Sequence, residues 1–387
     1  MVDAATDRSA FVTRFEPRYL DALADFYRDV WDPKATPDSV ARGRARDAAQ
    51  NVVKPGDEFP TYLFVQHGRI LGHLTTIPVR LRAGGVDRPA YWLIGFMVHP
   101  EHRNGPIGFL LLKQAVRELE TTLSLTVQQT TIRLLTAVGF RELGTLPNYL
   151  RPLRPGRMLA KLDPKTLGLP GLSRAVRMAT RAARLPMVAA VAGLAAGMGL
   201  GVWTALNGRP GRGIREHDGT HVLGVKADAL WNDCRDRLGC VAARDSAYLR
   251  GRYDVSPGGP YRSLGVIRDG MLRGLAVIRA PRANGDPRLA GIRVATLSDF
   301  LYDPARVDVG LALLAGAERA ARQMDADALM ASAAHRTHGP LLARRGFVRF
   351  AGNLHLLVRS TADAFPEPTT LGDWWVLRGD MNADMVF

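Results

Sequence analysis

The chain has 387 residues, 47% hydrophobic and 23% charged, which excludes a disordered polymer and is too long for one typical core. Its formal net charge is +15, and only six of the 52 basic residues are Lys. The Arg residues are spread along the chain without a dense basic run flanked by aromatics, which argues against a nucleic-acid partner.

The first region, about residues 10–160, alternates helix-like and strand-like patterns. Residues 15–31 place Leu20, Leu23, Phe26, Tyr27, Val30 and Trp31 at helical spacing. The stretch TYLFVQHGRILGHLTTIPVRLR reads as a hairpin, two apolar runs joined at His67-Gly68. AYWLIGFMV, ending at Val98, is a continuous apolar run suited to a buried central strand. GFLLLKQAVRELE, from Gly108, has a period of 3.6 and predicts an amphipathic helix.

The second region, about 161–213, differs. Arg174, Arg177, Arg181 and Arg184 recur at spacings of three and four and form one basic helical face. Leu185 to Leu206 then runs without a charge, long enough to cross a bilayer but rich in Ala and Gly. Two readings stand: a small-residue helix buried between the two halves, or a membrane-attached helix over 174–206 aided by its basic face.

The third region, about 214–387, repeats the first. FVQHGRILGHLTTIPV matches GVIRDGMLRGLAVIRA, with Gly72 opposite Gly274. Pro100 and Gly108 stand opposite Pro304 and Gly310, and Gly139-Phe140 opposite Gly346-Phe347, in one order at a spacing of 202–207. Two copies of one α/β unit follow. Cys234 and Cys240 have no second pair and read as reduced thiols of a cytoplasmic protein. The charged N-terminus lacks the apolar segment of a signal peptide.

Between strand and helix lies VHPEHRNGPIG, residues 98–108. The first turn of a helix carries unpartnered N–H groups at its positive end, which favours an anion. Glycine lets that backbone approach a phosphate closely, and Arg103 adds a bidentate donor. Pro106 lacks an N–H but its fixed φ suits a helix start. The second copy is two residues shorter between Pro304 and Gly310, has no Gly before Gly310, and carries Asp308. It is expected not to bind such an anion strongly.

This stretch resembles the GNAT acyltransferase signature, a strand, a V-x-P-x-x-R-like entry and a Gly-containing loop before a helix. Val98, Pro100, Arg103, Ile107 and Gly108 match, and Pro106 stands where the family's first loop Gly is usual, with Gly105 just before it. RLLTAVGFRELGTLPNYL fits the family's later helix, GF and strand. The resemblance covers about 10–155 well and 220–360 more weakly. It implies an α/β (α+β) fold of two GNAT-like mixed-sheet units in tandem joined by an apolar helical linker. The expected division is an acyl-CoA-binding domain over 1–160, a linker over 161–213 and a degenerate domain over 214–387.

The resemblance further implies an acyltransferase that uses acetyl-CoA, or another acyl-CoA, as co-substrate and an amine as acceptor, either a small molecule or a cell-surface precursor. The cofactor-binding residues would be Met97, Val98, Arg103, Asn104, Gly105, Pro106, Ile107, Gly108 and Gln128. The family's Tyr four residues before the GF glycine is replaced here by Leu135. Tyr149 is a substitute acid, and His99, Glu101, His102 and the hairpin's His73 are candidates to relay a proton. No metal is expected: Asp380, Asn382 and Asp384 alternate near the C-terminus, but without the Gly and Glu of a calcium loop. Arg244, Arg250 and Arg252, with Tyr248 and Tyr253, read as a solvated helix. The alternative to an enzyme is a CoA-binding or scaffolding protein. The expected location is the cytoplasm, or the periphery of a membrane.

Overall fold

The computed structural model describes residues 10–161, 186–210, 215–218, 220–253, 260–282, 289–361, 365 and 369–386. Arg174, Arg177, Arg181 and Arg184 lie outside the described residues. Contacts divide the chain into two units, and neither is contiguous in sequence. Unit 1 is Met1–Thr145 with Asn353–Thr370, and unit 2 is Leu146–Gly352 with Leu371–Phe387.

In unit 1, β1 (Ala10–Arg14) pairs antiparallel with β2 (Thr61–Gln66). His67 and Gly68 close the predicted hairpin onto β3 (Arg69–Ala83), and both have positive φ (48° and 75°). Positive φ at both turn positions is what a type I′ hairpin needs. The apolar run extends further than its sequence pattern, as β4 (Val86–Val98), antiparallel to β3. A crossover helix then brings the chain back to β5 (Thr121–Thr126), parallel to β4. The last partner of β5 comes from the other end of the chain. It is the part of β13 (Val348–Ser360) from His355 onward, running antiparallel.

Two helical layers cover this sheet. α1 (Leu20–Val30) and α2 (Pro37–Ala49) bury Leu23, Phe26 and Val40 against Leu63, Val65 and Ile70. Thr36 caps α2, its hydroxyl accepting from the Ser39 N–H at 3.2 Å. α3 (Ile107–Glu118) and α4 (Gln129–Ala137) bury Ile107, Leu111, Ile132 and Leu135 against Tyr62, Phe64 and Leu93. A side chain at Gly72 would meet Ile107 Cγ2 at 2.5 Å, so the repeated glycine of the hairpin is where α3 touches the sheet.

Unit 2 repeats the strand order. β7 (Arg215–Asp218) pairs with β9 (Tyr261–Arg268), which forms a hairpin with β10 (Met271–Arg282) through Asp269-Gly270. β11 (Val294–Tyr302) is antiparallel to β10 and parallel to β12 (Ala328–Ser332). Here too the final partner comes from the other half: residues Asn148 to Pro152 of β6 (Arg141–Pro152) pair with β12. Each sequence half therefore supplies the closing strand of the other unit. β8 (Val241–Ala242) is a two-residue strand.

The helices of unit 2 follow in chain order. They are α5 (Pro155–Lys161), α6 (Pro186–Asn207), α7 (Val225–Cys234), α8 (Ser246–Tyr253), α9 (Val307–Gln323), α10 (His338–Arg344) and α11 (Ala383–Val386). Gly274 meets α9 as Gly72 meets α3, with Val309 and Leu313 each 2.8 Å from where its Cβ would lie. α6 is not the buried helix that one reading expected, since only 11% of its apolar window is buried.

Candidate functional site

In unit 1, β4 and β5 pair only at Tyr91 with Thr122 and Trp92 with Leu123. Beyond that point β4 runs on to Val98 and β5 to Thr126 without ladder partners between them, so the strands splay. Just past the opening β4 carries a bulge. Thr75 pairs with Ile94 and His73 with Met97, so Leu74 faces both Gly95 and Phe96. A bulge turns backbone groups out of the ladder and re-aims them. Gly95 adopts φ 56°, a left-handed conformation that suits glycine.

The bulge is fixed by His73, which is 1% exposed. Its Nδ1 lies 2.7 Å from the Gly95 carbonyl oxygen and its Nε2 lies 3.0 Å from the Tyr27 hydroxyl. A carbonyl only accepts, so Nδ1 carries the proton and Nε2 accepts from Tyr27. Burial lowers the pKa of His73 to about 4, so the ring is neutral at physiological pH. Burial also raises Tyr27 to about 12. This pair orients a backbone carbonyl and is poorly suited to accept a proton.

β4 alternates across the sheet. Phe96 and Val98 pack toward α3 and α4, and Met97 toward α1. After Val98 the chain turns tightly, with the His102 N–H donating to His99 O at 2.9 Å and the Gly105 N–H to His102 O at 3.0 Å. Arg103 is exposed and its Nε donates to Val98 O at 3.3 Å. Asn104, Gly105 and Pro106 are exposed, while Ile107 and Gly108 are buried. The Leu110 N–H returns to Pro106 O at 2.9 Å, and the N–H groups of the preceding turn lie at the positive end of α3.

Gly108 has a packing role independent of any ligand. Its Cβ would lie 3.1 Å from Phe96 Cζ, and that of Gly310 would lie 2.9 Å from Tyr302 Cε2. Both copies keep glycine there because an aromatic side chain fills the space. The loop glycine free of that constraint is Gly105.

His99, Glu101 and His102 do come together. Their ligating atoms lie within 4.8 Å of one another, and His99 Nδ1 is 3.8 Å from Glu101 Oε2. Among the described residues these are side chains spaced to hold a metal ion. Gln128 is exposed at the start of α4, its Oε1 accepting from the Thr131 hydroxyl at 3.5 Å. Leu135, standing at the family's Tyr position, is a core residue. Tyr149 belongs to unit 2, where it pairs with Ala331, and a Cβ on Gly339 would lie 2.8 Å from its hydroxyl.

The corresponding splay of unit 2 is filled. β11 and β12 pair only through Thr296 and Met330, and β11 has its own irregularity at Ser298. The Gly379 N–H donates to Ser298 O at 2.9 Å and Trp375 Nε1 to Phe300 O at 2.8 Å. On the other side the Ala334 N–H donates to Val376 O at 3.0 Å, and Arg378 Nη1 to the Ser332 hydroxyl at 2.9 Å. Trp374 and Trp375 are fully buried. The sequence held a signal for this plug, two adjacent Trp after the last strand, but not its destination.

Of the cluster expected to be a solvated helix, Arg250 is exposed, but Arg244, Tyr248 and Tyr253 are buried and belong to a network. Arg244 donates to Asp299 at 3.0 Å and to both oxygens of Asp380, at 2.9 and 2.8 Å. Tyr253 donates to Asp299, and Arg252 to Asp384. Burial opposes the charge on Arg244, but Asp299 and Asp380 hold its pKa well above the ordinary value. The alternating C-terminal acids are thus engaged by arginines. Cys234 and Cys240 are free and buried, and burial raises them to about 12 and about 11.

Residues 12–127 match the family described as the acetyltransferase (GNAT) domain. No curated protein matches the chain in sequence. Among solved structures, a probable N-acyltransferase from Enterococcus faecalis is similar at a TM-score of 0.54 and 10% identity, over 91% of this chain and 72% of that one. Saccharomyces cerevisiae N-myristoyltransferase with bound myristoyl-CoA aligns at 0.53 and 12% identity, over 91% of this chain and 83% of that one. At these identities the likenesses establish the fold.

Proposed function

Because residues 12–127 match the acetyltransferase (GNAT) domain, we propose that unit 1 transfers an acyl group, acetyl in the simplest case, from acyl-CoA to an amine. The observation that carries this reading is the splay between β4 and β5, with its bulge at Gly95 and an exposed turn, Arg103 to Pro106, leading into α3 at the strand's exit. The thioester carbonyl enters the splay, where backbone N–H groups over Phe96 to Val98 polarise it. The pyrophosphate lies on the turn from Arg103 to Gly108, with Gln128 as a further contact. The amine nitrogen attacks the carbonyl carbon, the C–N bond forms and the C–S bond breaks. The amine's proton passes to His99, which Glu101 backs, and His99 then returns it to the thiolate as CoA leaves.

The acceptor class is a small-molecule or cell-surface-precursor amine. Unit 2, whose splay is filled by Trp375 and its neighbours, takes no acyl-CoA in this reading. Calorimetric titration with acetyl-CoA tests it: wild type binds and Arg103→Glu weakens binding at least tenfold. With an amine panel, free thiol is released by wild type, and His99→Ala lowers kcat while binding acetyl-CoA equally well. Absence of acetyl-CoA binding by wild type would remove the reading. Binding without thiol release across the panel would favour the scaffolding alternative.

A further inference from the structure

α6 presents a continuous apolar stripe to solvent. Met187, Val191, Leu194, Met198, Val202 and Leu206 follow one another at steps of three or four and are between 59% and 82% exposed. No charged residue occurs within Pro186–Asn207. The opposite face is fixed to unit 2. Ala189 is buried, and a Cβ on Gly193 would lie 2.3 Å from Gly156 Cα, so α5 and α6 pack backbone to backbone. Nearer the end of α6, Arg151 Nη2 donates to the Thr204 hydroxyl at 3.3 Å and Trp203 Nε1 to Ala343 O at 3.0 Å.

A helix held by polar contacts along one side does not cross a bilayer, because those contacts would enter hydrocarbon. Its free side suits the boundary between headgroups and acyl chains. Charge selects the partner. From residue 164 to 215 the sequence has no Asp or Glu, but has Lys165 and Arg174, Arg177, Arg181, Arg184, Arg209, Arg212 and Arg215. Among the described residues, Arg209 and Arg344 are exposed near the C-terminal end of the stripe, where a Cβ on Gly208 would lie 2.6 Å from Arg344 O. A second copy on the stripe would bring like charges together, whereas anionic headgroups neutralise them.

We propose that α6 lies in the surface of an anionic membrane, inserting the stripe from Met187 to Leu206 while unit 2 stays in water. The test is co-sedimentation of the full chain with vesicles of phosphatidylcholine alone or with phosphatidylglycerol added. Wild type is expected to bind the anionic vesicles at least tenfold more tightly than the neutral ones. The double variant Leu194→Asp/Met198→Asp is expected to lose at least tenfold of that binding with an unchanged circular dichroism spectrum. Leu206→Asp, at a highly exposed position, repeats the measurement if the double variant does not fold. Absence of binding to anionic vesicles overturns the proposal, as does binding that these variants leave unchanged. A wild-type dimer that the variants dissociate, with no vesicle binding, overturns it in favour of a second copy.

Discussion

The Nδ1–H of His73 donates to the carbonyl of Gly95 at 2.7 Å and so holds the bulge of β4 in place. On the proposed function, this relationship makes His73 a positioning residue. His73→Ala removes the side-chain donor to that carbonyl and leaves a cavity beside Phe26 and Tyr27. A loss of about 2–4 kcal/mol in stability is expected from the buried hydrogen bond and the void together. Activity falls mainly through kcat, because the acyl carbonyl meets a misplaced backbone while the pyrophosphate turn is untouched. Urea unfolding and steady-state kinetics check both parts, and an unchanged kcat would remove the positioning role.

The same ring makes stability depend on pH. His73 has its pKa lowered from 6.5 to about 4 in the folded chain, so between those values the unfolded chain binds more protons. The contribution is fully present above about pH 6.5 and is lost as pH falls toward about 4. The shift corresponds to roughly 3 kcal/mol over that window. His335 and His338 are also depressed by burial and add slope of the same sign. His73→Gln should flatten part of the curve of unfolding free energy between pH 4 and 7. An identical slope in the variant would place the dependence on the other histidines.

Gly108 separates packing from ligand binding. Gly108→Ala places a methyl 3.1 Å from Phe96 Cζ and is expected to cost about 1–2 kcal/mol by overpacking. Adding Phe96→Leu should recover most of that loss, and a double-mutant cycle on thermal unfolding measures the coupling. If acyl-CoA binding recovers along with stability, Gly108 acts through α3 packing. If binding stays lost, its backbone contacts the phosphate directly.

Periodicity made the hairpins, the crossover helix and the repeat legible, because each is a local pattern with a period of 2 or 3.6. The Gly72 and Gly274 match was visible as a repeat, and only packing explains it as the contact with α3 and α9. Closing-strand exchange was not legible, since the halves of β6 and β13 look alike in pattern and differ only in partner. The buried network at Arg244 is illegible in the sequence for a related reason. Arg and Asp in a short helix and a C-terminal tail look solvated until Asp299 on β11 brings them together. The turn from Arg103 to Gly108 was readable as the link from strand to helix, but Gly108 has a steric cause that sequence could not separate from a ligand.

Arg244 should be more sensitive to truncation than its size suggests. Arg244→Met leaves Asp299 and Asp380 buried without their cation, and breaking a buried ion pair from one side costs about 3–5 kcal/mol. Asp380→Asn keeps hydrogen bonding to the guanidinium and leaves Asp299 as its counter-ion, so its cost is expected to be smaller. Chemical denaturation of the two variants ranks them. The reverse order would mean that Asp380 and the C-terminal segment, rather than the guanidinium, organise the network.

On the proposed function, the filled splay of unit 2 predicts one acyl-CoA per chain. Among the described residues, no backbone pairing closes the splay of unit 1 beyond Trp92 and Leu123, while in unit 2 Trp375 and Gly379 donate to Phe300 O and Ser298 O across the equivalent gap. A saturating titration should therefore give one site per chain. Trp375→Ala removes a fully buried indole and is expected to cost about 3–5 kcal/mol. It should not create a second site, because Ala334 and Arg378 still hold the segment and Asp308, paired with Arg268 at 3.0 Å, keeps negative charge at the start of α9. Calorimetry gives the stoichiometry and urea unfolding the stability. Two sites in wild type would mean that the C-terminal segment leaves unit 2 when ligand arrives. A second site only in Trp375→Ala would make the indole alone the barrier.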